Sequence, residues 1–191
     1  MILGIMGSPR RGGNSEILLD QVLAGARTVG VDTEKVVLSL LNIQGCTHCN
    51  GCWDTGECII QDDMELFYQK FREMKALVVA APIYFLGPPA QLKAVIDRCE
   101  PFWVLKTRFN KSVSPTGKKR PGVFISVAGA PGKPDTFEPS RRIIRAFFST
   151  IDVIYTDELF FTEVEEPGQI RAHPTALAEA YTLGVRLARS L

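Results

Sequence analysis

The sequence predicts an α/β protein, a three-layer sandwich with a five-stranded parallel sheet and helices on both faces. Three observations carry that prediction. Short apolar runs alternate with stretches of helical periodicity along the 191 residues, the signature of successive βαβ units. Several runs are apolar at nearly every position rather than at alternate ones, which marks strands buried on both faces. Glycine- and proline-rich turns close three of the strands, and such loops form the ligand crevice of an open α/β sheet.

The elements follow in order. Met1-Ile2-Leu3-Gly4-Ile5-Met6 reads as the first strand, stopped by Gly7-Ser8-Pro9. From 14 to about 30, Leu18, Val22, Ala26 and Val29 fall on one helical face, with Asn14 or Ser15 as cap and Gly30 at the end. Residues 35–40 read as the second strand, and a cysteine-rich loop occupies about 45–61. A helix to residue 75 starts at Asp62 or Asp63, with Leu66, Phe67, Phe71 and Met74 along one side. Residues 76–81 form the clearest strand and run into Pro82-Ile83-Tyr84-Phe85-Leu86-Gly87. Leu92, Val95, Ile96, Cys99 and Trp103 then predict one helix, and the polar segment 106–120 reads as an exposed excursion. A fourth strand at 123–128 ends in Gly129-Ala130-Pro131-Gly132. A helix over about 138–151, a last strand near 152–161 and a helix over about 174–191 complete one domain, with no internal repeat or linker.

Composition excludes several classes. With 22 Lys plus Arg against 21 Asp plus Glu, the net charge of +1 does not suit a protein held to nucleic acid by charge. An apolar content of 46% excludes disorder. The longest apolar stretch, 76–90, is broken by Pro82, Pro88 and Pro89 and falls short of a membrane span. The short run 1–6 does not read as a secretory leader, so a cytoplasmic address with reduced thiols is expected.

The first loop, Gly7-Ser8-Pro9-Arg10-Arg11-Gly12-Gly13-Asn14-Ser15, joins a buried strand to a helix start. Its glycines let amides turn inward, the helix adds unpaired N–H groups and positive partial charge, and Arg10 or Arg11 supplies a cation. A phosphate monoester is the natural occupant. The loop lacks the Gly-Lys-Ser/Thr of a Walker motif and the glycine spacing of the dinucleotide fingerprint, so a mononucleotide is expected.

These residues, with Ala81-Pro82-Ile83-Tyr84, Lys93 and the segment Cys58-Ile59-Ile60-Gln61-Asp62-Asp63, resemble the NADPH-dependent FMN reductase superfamily, and within it the iron–sulfur flavoproteins. The resemblance is strong over about 1–100 and implies a flavodoxin-like fold. By it, Ser8, Arg10, Asn14 and Ser15 hold the FMN phosphate, the segment 82–87 (Pro82, Ile83, Tyr84, Phe85, Gly87) lines the flavin ring, and 128–132, with Gly129, closes the far side. Independently, a flat apolar ring needs apolar walls and close backbone approach, which Ile83, Tyr84, Phe85, Leu86 and Gly87 supply.

Cys46, Cys49, Cys52 and Cys58 form C-x2-C-x2-C-x5-C. Two ferredoxin-type spacings in series let a loop wrap three thiolates round one cluster, and Cys58 supplies a fourth. Three occupants stay open: a [4Fe–4S] cluster, which the resemblance favours, tetrahedral zinc with His48 as a substitute ligand, or no metal.

The remaining reactive residues read as background. Cys99 is a small core residue, Asp62-Asp63 a helix cap, Trp53 packing, and Lys118-Lys119-Arg120 a solvated face that can attract an acidic partner or a pyridine-nucleotide phosphate. His48 and His173 show no partner. The expected function is electron transfer between FMN and a [4Fe–4S] cluster, with no catalytic acid or base. The alternatives are an NAD(P)H-dependent FMN or quinone reductase without a cluster and a zinc-containing nucleotide-binding module. NAD(P)H or a ferredoxin is the expected redox partner, and the resemblance implies a homodimer or homotetramer.

Overall fold

Parallel strands must be covered on both faces, and this chain supplies a helical layer for each. The computed structural model describes residues 1–191. Its strands are β1 (Ile2–Met6), β2 (Thr33–Val37), β3 (Ala76–Pro82), β4 (Arg120–Val127) and β5 (Val153–Phe161). All pairings are parallel, in the order β2-β1-β3-β4-β5. This is the flavodoxin-like sheet, with its topological switch between β1 and β3.

Alternation along the strands divides the core in two. Leu3, Ile5, Leu77, Val79 and Phe124 face α2 (Met64–Glu73), α3 (Ala90–Asp97), α4 (Glu100–Thr107) and α5 (Glu138–Thr150). Ile2, Met6, Val78, Ala80, Val123 and Ile125 face α1 (Asn14–Thr28) and α6 (Ala176–Arg189). No helix is long and apolar enough to cross a membrane.

The structure departs from the sequence reading in several places. The second strand ends at Val37 and turns into a 3₁₀ helix, Leu38–Leu40, because it lies at the sheet edge, and Leu40 is exposed. Leu66 also lies outside the buried face of α2, which is formed by Met64, Phe67, Tyr68 and Phe71. The single helix expected over Leu92–Trp103 is two, α3 and α4. Pro101 sits in the first turn of α4, the position a proline tolerates, and its ring cannot continue a helix from before it. Trp103 is consequently half-exposed.

The excursion after α4 is anchored rather than free. The Asp152 carboxylate accepts hydrogen bonds from Ser112 Oγ (2.7 Å) and from the amides of Val113 (2.6 Å) and Ser114 (3.1 Å), and pairs with Lys106 Nζ at 2.8 Å. Arg120, read as part of a solvated basic face, is buried. Its guanidinium donates to the carbonyls of Phe71 (2.6 Å), Met74 (3.3 Å) and Ile151 (2.6 Å), tying the ends of α2 and α5 to β4. His173 also has partners: its Nδ1 accepts from the amides of Thr175 and Ala176, capping α6, and its ring packs edge-on to Phe161.

The contact between α1 and α6 depends on two glycines. A Cβ on Gly25 would collide with the Tyr181 carbonyl, and one on Gly184 with the Val22 carbonyl. Because backbone cannot yield as a side chain can, Gly25→Ala and Gly184→Ala are each expected to lower stability by about 1–3 kcal/mol despite alanine's better helix propensity. Urea unfolding followed by circular dichroism measures this.

The Asp152 clamp sets an acid limit. Burial pushes its carboxyl up, but Lys106, Ser112 and the amides of Ser114 and Val113 outweigh it and hold the group at about 2, below the ordinary 3.8. A group whose folded value is depressed stabilises the fold above its unfolded value and loses that contribution as pH falls through the folded one. Thermal unfolding from pH 5 down to 2 should show a loss of about 2 kcal/mol from this group. Asp152→Asn should flatten the profile over that range and lower Tm at pH 7.

Candidate functional site

The loop after β1 delivers its helix with an open end. The N-cap of α1 is Gly13, in extended conformation (φ −75°, ψ 172°) and with no side-chain cap, so the first-turn amides keep their hydrogens for an outside acceptor. The expected cap residues do other work. Asn14 Nδ2 donates to the carbonyls of Val164 (2.9 Å) and Glu166 (3.0 Å), and its Oδ1 accepts from the Ile170 amide at 3.1 Å. Asn14 thus fastens the segment after β5 to the start of α1. Ser15 is buried beside it, and Ser8 Oγ accepts from the Arg10 amide at 3.1 Å, setting the turn.

The two loop arginines separate by environment. Arg11 pairs with Glu16, whose buried carboxylate also takes the Gly12 amide (2.7 Å) and Lys35 Nζ (2.9 Å). Burial pushes the Glu16 carboxyl up, and Lys35, the Gly12 amide and Arg11 together hold it below its ordinary value. Arg10 turns the other way and donates to the Glu165 carbonyl at 3.0 Å.

Ser8, Arg10, Asn14, Ser15, Pro82, Ile83, Tyr84 and Gly129 line one cleft beyond the carboxyl ends of β1, β3 and β4, at the switch point. Two residues named with them, Phe85 and Gly87, do not line it. Tyr84 and Gly87 exchange both backbone hydrogen bonds (2.9 and 3.0 Å) around Phe85 (φ 49°) and Leu86 (φ 66°). This tight turn puts two non-glycine residues in the left-handed region, and Phe85 is fully exposed at its tip. Ser140 Oγ braces the turn through the Leu86 carbonyl at 2.8 Å.

The cleft has a volume of about 100 Å³, and one residue the sequence reading passed over, Glu165, lies in it. The Glu165 carboxylate lies directly on Gly129, where any Cβ would collide with it. The run Glu163-Val164-Glu165-Glu166 just after the last strand was the available signal.

A larger cavity of about 520 Å³ opens between the cysteine loop and the helices α3, α4 and α5. Cys46, Cys49, Cys52 and Cys58 all line it, with apolar walls that include Trp53, Ile96, Trp103 and Phe147. Cys46 and Cys49 are exposed, Cys58 half-buried and Cys52 buried. The Gly51 amide bonds to Cys49 and lowers its thiol, whereas burial raises that of Cys52, with the Glu100 carboxylate and the sulfurs of Cys58 and Cys46 adding to the rise. No three of the chain's Cys, His, Asp and Glu side chains are drawn into a metal-holding group. Four thiols opening into one apolar-walled cavity nevertheless fit the donor set of an iron–sulfur cluster. Trp53 borders the cavity, partly exposed, and the Arg108 guanidinium lies 5.5 Å from its ring centre. Cys99, at the junction of α3 and α4, is buried on the same wall, where desolvation raises its thiol well above the ordinary value.

Asp62 exceeds its expected role as a cap. It does accept from the Met64 amide (3.0 Å), but it also forms a buried pair with Arg98 at 2.7 Å. Arg98 escaped the sequence reading because an arginine on an apolar helix face carries no signature of its partner.

The profile of the family described as NADPH-dependent FMN reductase matches residues 1–152. An iron-sulfur flavoprotein of Methanosarcina thermophila is 39% identical over 129 residues, covering 68% of this chain and 63% of the relative. A second, from Archaeoglobus fulgidus, is 37% identical over 133 residues, covering 70% of this chain and 56% of the relative. The chain thus spans less than two thirds of the length of either. Among solved structures, the NAD(P)H:quinone oxidoreductase from Methanothermobacter marburgensis superposes with a TM-score of 0.72 over 98% of this chain and 96% of its own, at 17% identity, a likeness of fold. The extent of the family match and the identity to these relatives show that the chain belongs to the NADPH-dependent FMN reductase family.

Proposed function

We propose that this chain is an FMN-binding oxidoreductase of the iron–sulfur flavoprotein kind, with FMN in the switch-point cleft and a [4Fe–4S] cluster held by Cys46, Cys49, Cys52 and Cys58. The observation that carries the reading is the convergence of eight predicted residues, from three loops, on one cleft at an uncapped helix N-terminus. Bound FMN supplies hydride or single-electron transfer, and a bound cluster supplies single-electron transfer. NAD(P)H or a ferredoxin serves as the electron donor in this reading. Phe85, Leu86 and Trp103, exposed beside the two sites, suit burial between copies, so a homodimer or homotetramer is part of it.

The chain's own residues divide the binding work. The first-turn amides of α1 and the Arg10 guanidinium receive a phosphate, with Ser8 and Ser15 at hand as hydroxyl donors. Asn14 positions the wall after β5 and does not itself need to touch the ligand. Pro82, Ile83 and Tyr84 offer one wall of a ring site, and Gly129 offers close backbone approach on the other. Glu165 must swing off Gly129 to admit a flavin, because its carboxylate fills that space and repels a phosphate dianion.

Two sets of measurements test this. In FMN titrations followed by flavin fluorescence, Arg10→Ala should weaken binding by roughly ten-fold or more, the loss of one charge-assisted contact. Glu165→Gln should tighten it by roughly three- to ten-fold, since about 1 kcal/mol of charge repulsion is removed while the side chain keeps its size. Unchanged affinity in both variants would move the flavin elsewhere.

Protein purified without oxygen should show a flavin spectrum over a broad absorption that dithionite bleaches, with about four irons per chain. Cys52→Ser should lose the broad absorption and keep the flavin. A clean flavin spectrum in the anaerobic parent protein would leave an NAD(P)H-dependent FMN or quinone reductase, and colourless protein that takes up no added FMN would refute the flavin assignment.

A further inference from the structure

The least expected group in the core is an arginine. Arg98, at the end of α3, is 1% exposed, and no larger side chain is so fully buried. Its guanidinium is committed to the two ends of the cysteine loop. Nη1 donates to the Gln44 carbonyl (3.0 Å) and Nη2 to the Ile60 carbonyl (3.1 Å), while both nitrogens meet the Asp62 carboxylate (2.7 and 3.2 Å). Asp62 closes the knot by accepting the Gln44 amide at 2.9 Å. The helix side is fixed as well, since Tyr68 Oη donates to the Arg98 carbonyl at 2.8 Å.

Stability alone gives a poor account of this arrangement. Burying an ion pair loses hydration that the pairing seldom restores in full, and here Arg98 Nε has no partner at all. A point-charge lysine could not meet two carbonyls and a carboxylate in one plane, whereas the guanidinium fork can. Its partners bracket residues 45–59, and Arg98 lines the same cavity as the four cysteines. Asp62 does not line that cavity.

We propose that Arg98 is the positioning residue of the cysteine loop: its guanidinium closes the base of the loop, through Gln44, Ile60 and Asp62, and sets a buried positive charge beside the four thiols. The clamp stands on the hydrogen bonds alone. The role of the charge rests on the cluster reading above. A positive charge beside a cluster favours the more negative, reduced form, so Arg98 raises its reduction potential, and Asp62, paired with the guanidinium, moderates that effect.

The test uses the full chain and three variants. In metal-free, FMN-loaded protein, hydrogen exchange should accelerate across 44–61 in Arg98→Lys, while the five strands keep their protection. Exchange in the loop equal to the parent's would overturn the clamp. Loss of protection throughout the sheet in both Arg98→Lys and Asp62→Asn would overturn it too, because the pair would then serve the whole fold. After anaerobic reconstitution, redox titration followed by electron paramagnetic resonance should give opposite shifts: upward for Asp62→Asn, downward for Arg98→Gln, and little change for Arg98→Lys. A loop that had merely loosened would not reverse sign with charge, so shifts in one direction for both, or none, overturn the electrostatic role. Should Arg98→Gln fail to fold, the upward shift of Asp62→Asn against the unmoved Arg98→Lys decides the matter. A parent protein that takes up no cluster removes the charge role together with the cluster reading, and the exchange experiment still decides the clamp.

Discussion

A parallel sheet has to bury both faces, and the rest of this structure follows from that demand. Each crossover must return a helix over one face or the other, and with β1 near the middle the chain crosses first toward β2 and then back past β1 to β3. The reversal parts the loops that follow β1 and β3 and leaves a crevice that no helix fills. Into it points the N-terminus of α1, uncapped. The cleft is a consequence of topology, and the local residues decide only what fits it. Gly13 leaves the amides free, Arg10 adds charge, and Gly129 keeps the opposite wall low enough for Glu165 to lie on it.

A second rule runs through the irregular parts of the chain. Each long excursion is held by one buried polar side chain from a distant element that bonds to its backbone. Arg98 holds the base of the cysteine loop, Asp152 holds 112–114, and Asn14 holds 164–170. Arg120 performs the same service for the end of α2 and the turn after α5. Loops cannot satisfy their own buried backbone groups as helices and strands do, so the donors and acceptors must come from elsewhere. Nothing local in the sequence points to these distant contacts, and three-dimensional proximity alone shows them.

That contrast explains what was legible beforehand. Strand and helix order could be read because two-sided burial writes continuous apolar runs such as Ala76-Leu77-Val78-Val79-Ala80-Ala81, and helical faces write a period near 3.6. The cleft was legible too, since Gly, Ser, Pro and Arg in a strand-to-helix turn have a local physical meaning. Periodicity failed at Leu92–Trp103, where an apolar face continues across a break and only Pro101 marks the change of axis. Aromatic character suggested a wall at Phe85, and the turn places that side chain exposed at its tip, outside the lining of the cleft. Glu165 and Arg98, and the partners of Asn14, were missed for one reason: these contacts join residues 30 or more positions apart in sequence, and no spacing rule reaches that far.

The two candidate sites are parts of one mechanical unit. The segment that walls the cleft, Pro82–Tyr84, leads through the Phe85–Leu86 turn into α3, and the far end of α3 is Arg98 at the base of the cysteine loop. Eight residues of helix span about 12 Å, so one short element connects the wall of the cleft to the base of the cysteine loop. The turn is braced by Ser140 from α5, and α5 also lends Ile143 and Phe147 to the cysteine cavity. A displacement of α3 along its axis therefore moves the wall of one site and the base of the other together. The strained turn at one end and the buried ion pair at the other have the same consequence: they fix that helix in register, and so fix the separation of the two sites.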